Sequence, residues 1–235
     1  QRWYSIEADG KSSHAYDAIV NLTRPLEVAC RNRPLLQLTE QERYQAMAKV
    51  EQLVSLHSDH PSETDFIAIF VGGHQNKRWP LAFWLMLIDA MEAHKIRYVV
   101  FLGPEEFRLL APIEQRLMSS LYGSLCPPLA IRHFAAVLER ARLLVTPDSG
   151  PMHLAAALDV ATISLVRQKK SLAFVPREPY DTVLWRPEIS TVIDAIRATL
   201  GGQNATAPVQ SASLTNQPTQ WVTPPPSADQ LYSSY

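Results

Sequence analysis

The sequence predicts an α/β fold built on a Rossmann-like parallel sheet. Three observations point there. Near-continuous apolar runs at 66–71 (FIAIFV), 96–102 (IRYVVFL), 143–146 (LLVT) and 161–166 (ATISLV) lack the strict alternation of a half-exposed strand. Such runs belong to strands covered on both faces. Segments of helical period separate them, which is the rhythm of βαβ units. Finally, glycine-bearing turns follow residues 71, 102 and 146. These turns lie at the carboxyl ends of strands, where open parallel sheets bind ligands.

Taken in order, residues 1–13 are polar and irregular. Residues 16–22 (YDAIVNL) carry a β-branched run bounded by turn-formers and predict a short strand. Arg24-Pro25 and Arg33-Pro34 interrupt the pattern. Thr39 with Glu42 three residues on is a capping-box signal. The helix it opens carries Tyr44, Met47, Val50, Leu53 and Val54 at helical spacing and ends near His57. Residues 58–63 read as a loop.

The strand at 66–71 leads to a helix at 79–94, a strand at 96–102 and a helix at 105–122. Pro112 predicts a kink or break in that helix. A short helix at 131–141, the strand at 143–146, a helix at 151–158, the strand at 161–166 and a closing helix at 191–200 complete the unit. Residues 201–235 are rich in Pro, Ser, Thr, Gln and Ala without periodicity, and predict a disordered tail.

Apolar residues make up 46% of 235, enough to bury a sizeable core. A formal charge of -1 gives no electrostatic case for nucleic acid. Cys30 and Cys126 sit in no metal-ligand spacing and imply no disulfide framework, which favours a reducing compartment. The apolar runs are too short to span a bilayer. No secretory signal is visible, although the chain begins at Gln1 and an N-terminal piece can be missing or processed.

Three loops carry chemistry. In 145–158 (VTPDSGPMHLAAAL) a strand ends, Asp148-Ser149-Gly150 turns, and a helix starts with Pro151. The unpaired N–H groups of a first helical turn, with the helix dipole, make an anion site suited to pyrophosphate. Gly150 admits close approach, Ser149 offers a hydroxyl, and His153 lies one turn in. The same residues also fit an ordinary capped helix start. In 71–80 (VGGHQNKRWP), Lys77 and Arg78 follow a glycine turn and offer a mobile point charge and a bidentate fork to phosphate, or form a solvated basic turn. In 102–106 (LGPEE), Glu106 stands where acids bind ribose hydroxyls, or simply provides helix-start acidity with Glu105.

Together, Lys-Arg-Trp-Pro at 77–80, Gly-Pro-x-Glu at 103–106 and Asp-Ser-Gly-Pro-Met-His-Leu-Ala-Ala-Ala-Leu at 148–158 resemble glycosyltransferase family 9, the ADP-heptose:lipopolysaccharide heptosyltransferases. Residues 35–42 (LLQLTEQE) are similar to the segment leading into the second domain of these enzymes, and the likeness covers about 35–200. The resemblance implies the C-terminal half of a GT-B fold with a truncated N-terminal domain. Residues 1–34 would then be the remnant of that domain, 35–63 an interdomain helix, 64–200 the nucleotide-sugar-binding domain and 201–235 a tail.

By the same resemblance the nucleotide-sugar site is Lys77, Arg78, Glu106, Asp148, Ser149, Gly150 and His153. Lys77 meets the donor phosphates, Glu106 the ribose, and Asp148, Ser149 and Gly150 the diphosphate and sugar. The donor would be ADP-heptose, the acceptor the lipopolysaccharide core, and the transfer inverting. No metal and no cofactor beyond the donor is implied. A cytoplasmic location, peripheral to the inner membrane, follows from the family, and a homo-oligomer or a partner chain stays open. Departures from the pattern also matter. The family's catalytic base is an early Asp, yet neither Asp9 nor Asp17 is assigned to it. After Leu165 the chain has Val166-Arg-Gln-Lys-Lys170 instead of a Gly- and Thr-bearing loop. Two further readings stand beside transfer: a non-catalytic nucleotide-sugar-binding or scaffold protein, and another GT-B class such as an epimerase, against which Lys-Arg-Trp-Pro argues.

Overall fold

The computed structural model describes residues 14–23, 33–54 and 65–201. The expectations for the tail, for Cys30 and Asp9, and for the loop at 58–63 lie outside the described residues. The chain runs α1 (Ala15–Thr23), α2 (Glu40–Val54), β1 (Ile67–Phe70), α3 (Leu81–Ala93), β2 (Tyr98–Phe101), α4 (Phe107–Leu117) and β3 (Gly123–Cys126). It continues through α5 (Ile131–Leu138), β4 (Leu143–Pro147), α6 (Gly150–Ala157), β5 (Thr162–Val166), β6 (Thr182–Trp185) and α7 (Ile189–Leu200). The strands form one sheet in the order β3-β2-β1-β4-β5-β6, with every pairing parallel. The α/β, Rossmann-like reading therefore holds.

Strand periodicity divides the core in two. Ile67, Ile69, Val100, Val145 and Ile163 face one side and pack with Trp84, Leu87 and Met91 of α3, Ile113 of α4 and Ile196 of α7. Ala68, Phe70, Val99, Phe101 and Leu144 face the other and pack with Val50 of α2, Ala135 of α5 and Ala155 of α6. Strands β1, β2, β4 and β5 are thus buried on both faces, as their unbroken apolar runs require. The helix read as an interdomain element, α2, lies in this second layer. Its capping box forms: Thr39 N–H donates to Glu42 Oε2 at 2.7 Å, and Glu42 N–H donates to Thr39 Oγ1 at 3.2 Å. Arg132 of α5 donates to Glu42, and Arg43 pairs with Glu139 at 3.0 Å, tying α2 to α5.

Several expectations are corrected. Residues 16–22 form helix α1, not a strand. The run is too short to be decided by β-propensity. Local caps decide it instead: the His14 carbonyl accepts from Ala18 N–H, and His14 Nδ1 accepts from Tyr16 N–H. Asp17 in the first turn suits the helix dipole. The helix expected over 105–122 is shorter and runs through Pro112 without a break. Its first turn, Pro104–Glu106, is 3₁₀. Strand β3 follows it and was missed, because Gly123-Ser-Leu-Cys126 lacks β-branched residues. Edge strand β6 was missed as well, although Thr182-Val-Leu-Trp185 carries an ordinary strand composition.

Candidate functional site

The sheet order reverses between β1 and β4, which pair directly. Strands β2 and β3 extend to one side, β5 and β6 to the other. Loops leaving the carboxyl ends of β1 and β4 must therefore diverge and leave a crevice between them. A cleft of about 430 Å³ opens there. Lys77, Glu106, Asp148, Ser149, Gly150 and His153 line it, so the three loops read from the sequence do converge. Arg78 stands behind this wall. Phe70, His74 and Pro104 also line the cleft and were not anticipated; only His74 among them brings a polar side chain, and nothing in its sequence spacing singled it out.

The β2 side of the cleft is built around Glu106, which is 5% exposed. Its Oε1 accepts from Gly73 N–H at 3.2 Å and from Arg78 at 3.2 Å. Arg78 also donates through Nε to the Gly73 carbonyl at 2.5 Å. The guanidinium thus fixes the glycine turn and neutralises the buried carboxylate. Two glycines make room for that carboxylate. A Cβ on Gly72 would fall 2.6 Å from Glu106 Cδ, and one on Gly103 2.5 Å from Oε2.

The β4 side is organised differently. Asp148, also 5% exposed, pairs through Oδ2 with Lys77 Nζ at 2.6 Å. Ser149 is the N-cap of α6 in extended geometry, and its hydroxyl meets Thr146 Oγ1 at 2.9 Å. It caps no helix N–H, so the ordinary capped-start reading does not describe it. Gly150 opens α6 with nothing within 4 Å of a Cβ position. His153 Nδ1 lies 2.9 Å from the Tyr16 hydroxyl of α1. Burial lowers the His153 pKa; Asp148 works against that shift, while Lys77 and His14 reinforce it. Burial therefore favours the neutral imidazole.

The residues after β5 serve the cleft from outside. Arg167 donates to the Arg78 carbonyl and sits 5.5 Å over the Trp79 ring. Gln168 donates to the Asn76 carbonyl at 2.7 Å, and Trp79 donates to the Leu165 carbonyl at 3.3 Å. Arg167 and Gln168 brace the loop that carries Lys77. Asp17 is held by Arg177 at 2.6 Å, away from the cleft lining. Among the described residues there is no cluster of His, Cys, Asp and Glu able to hold a metal. No helix among them is long and apolar enough to cross a membrane.

The family model for glycosyltransferase family 9 (heptosyltransferase) matches residues 12–195. Among solved structures, a glycosyl transferase family 9 protein from Veillonella parvula is similar at 21% identity with a TM-score of 0.65, over 84% of this chain and 63% of that one. Escherichia coli ADP-heptose lps heptosyltransferase II is similar at 18% identity with a TM-score of 0.54, over 77% of this chain and 57% of that one. E. coli heptosyltransferase WaaC, solved with ADP-2-deoxy-2-fluoro heptose, is similar at 19% identity with a TM-score of 0.50, over 79% and 54%. The matched part of this chain spans a little over half the length of these proteins. No curated protein sequence matches it.

Proposed function

The chain belongs to glycosyltransferase family 9, and on that premise we propose that its cleft holds the nucleoside-diphosphate part of a nucleotide sugar for glycosyl transfer. One observation carries this reading: the switch-point cleft brings the Lys77 ammonium, the start of α6 and the buried Glu106 carboxylate around a single cavity. Each group has a task on such a ligand. Lys77 and the Gly150 N–H at the start of α6 take negative charge on the diphosphate. Glu106, held open by Gly72 and Gly103, accepts from ribose hydroxyls, while Asp148 and Ser149 face the sugar side.

In transfer, the acceptor hydroxyl attacks the anomeric carbon as a base takes its proton, and the bond to the diphosphate breaks with inversion, its electron pair leaving on the diphosphate. Charge then grows on the leaving diphosphate, where preorganised donors stabilise the transition state most. Lys77 and the Gly150 N–H are the donors this chain sets at that position. ADP-heptose as donor, a lipopolysaccharide core as acceptor and a cytoplasmic site beside the inner membrane complete the proposal. They rest on the family and on what the similar heptosyltransferases are described as binding or using.

Binding without transfer is the second reading. The pairing of the buried carboxylates favours it: Asp148 is held by Lys77 and Glu106 by Arg78, so neither is poised as a base. Calorimetric titration with ADP, UDP and GDP tests the proposal. Selective ADP binding that disappears in a Lys77→Ala, Asp148→Ala double variant supports it. Absence of nucleotide binding by the wild type overturns it. Release of ADP from ADP-heptose in the presence of acceptor then decides between transfer and binding alone.

A further inference from the structure

We propose that Tyr16 is a positioning residue of this cleft: its hydroxyl donates to His153 Nδ1, so that the ring presents Nε2–H to an anionic ligand. The inference rests on the nucleotide-diphosphate reading and adds to it a residue from α1, far from the cleft in sequence. The Tyr16 hydroxyl and His153 Nδ1 are 2.9 Å apart. His153 lines the cleft with Lys77, Asp148 and Gly150. A neutral imidazole has one N–H and one lone pair, and the partner of one nitrogen fixes the role of the other. With Nδ1 accepting from Tyr16, Nε2 must carry the proton. In the opposite tautomer a lone pair would stand beside an anion, in a cleft that Lys77 and the Gly150 end of α6 line.

Tyr16 is suited to donate. Burial raises its pKa, which keeps the proton on the phenol, and burial favours the neutral form of His153. The arrangement is also braced without the hydroxyl. His14 Nε2 donates to the Val175 carbonyl at 2.9 Å while its Nδ1 accepts from Tyr16 N–H. Asp17 pairs with Arg177. The Tyr16 ring stands edge-on to His14 at 5.1 Å and to His153 at 6.0 Å. These contacts hold α1 in place, so the hydroxyl has a task beyond docking.

The test compares full-length wild type with Tyr16→Phe, which keeps the ring. Long-range proton–nitrogen NMR on the ligand-free protein reads the His153 tautomer, and calorimetry reads affinity for ADP and inorganic pyrophosphate. We expect the Nε2–H form in the wild type and its partial replacement in Y16F. We also expect ADP affinity in Y16F to fall roughly three- to tenfold, the size of one neutral hydrogen bond. In a His153→Ala background, Tyr16→Phe then has no further effect. A protonated Nδ1 in a wild type that binds ADP overturns the tautomer and leaves the nucleotide reading standing. An unchanged tautomer or unchanged ADP affinity in Y16F overturns the role of Tyr16. A wild type that shows Nε2–H but binds neither ADP nor pyrophosphate overturns the ligand half of the inference together with the nucleotide reading.

Discussion

The two sides of the cleft hold their buried carboxylates in different ways. Glu106 is anchored through Oε1 by its neighbours: a backbone N–H and a guanidinium that also grips the Gly73 carbonyl, with glycines shaped to the carboxylate's outline. Asp148 has instead the ammonium of Lys77, on a flexible stem that is itself 26% exposed. A guanidinium fork locks geometry, whereas an ammonium is a point charge that can be shared or handed over. The β2 side thus works as scaffold. The β4 side can pass its cation to an incoming phosphate without dismantling the loop.

The largest expected effect breaks the scaffold side. Glu106→Ala leaves Arg78 and Gly73 N–H without their acceptor and leaves a void between two glycines. Removing one partner of a buried ion pair costs about 3–5 kcal/mol. Arg78 remains 35% exposed and can recover water, so the low end, about 3 kcal/mol, is expected. Urea titration should show a lowered midpoint with an unchanged slope. A loss under about 1 kcal/mol would mean that Glu106 is no anchor.

Lys77→Ala sharpens the other side. Losing a charge-assisted contact to the diphosphate costs about 1.5–3 kcal/mol, so ADP affinity should fall roughly 10- to 150-fold in calorimetry. Asp148→Asn separates two roles for the aspartate. If it only stores the ammonium, ADP binding is kept or improves. If it also contacts the sugar, the nucleotide sugar is weakened while ADP is not.

The same contrast explains what could be read from sequence. The loops carrying Lys77, Glu106 and Asp148 were legible because strand ends, glycines and a Pro-started helix are local signals. The clamp by Arg78 was not. Its residue type fits phosphate as well as a carboxylate, and only folding brings Gly73 and Glu106 to it. The cations after Leu165 were likewise ambiguous until Arg167 met the Arg78 carbonyl. Helix α1 was misread because it is short and capped by His14, a residue outside the usual N-cap preferences. The Tyr16–His153 contact, across 137 positions, leaves no trace in sequence spacing.

A smaller effect is a pH dependence confined to the β4 side. Burial lowers the pKa of both His153 and His14. A histidine whose folded pKa lies below its unfolded value binds fewer protons in the native state, so stability falls as pH drops through about 6.5. His14 feels this through structure too, because its protonation removes the acceptor for Tyr16 N–H. The melting temperature should therefore decline on acidification from about pH 7.5 to about pH 5.5. His14→Gln should flatten part of that decline. A flat wild-type profile would show that neither ring is buried neutral.

The smallest effect belongs to Asp17. Its pair with Arg177 is short, yet both side chains are about two-fifths exposed, at 40% and 42%. Exposed pairs contribute about 0.2–1 kcal/mol and weaken with salt. Asp17→Asn should therefore change global stability by under about 1 kcal/mol, with the difference fading in high salt. This bears on the contrast between the two sides because α1 touches the cleft through Tyr16. If D17N leaves the His153 tautomer and ADP affinity intact, His14 and Tyr16 suffice to hold α1 against the β4 side. If ADP affinity falls as far as in Y16F, the ion pair is what sets the position of α1, and the phenol acts only while that surface pair is closed.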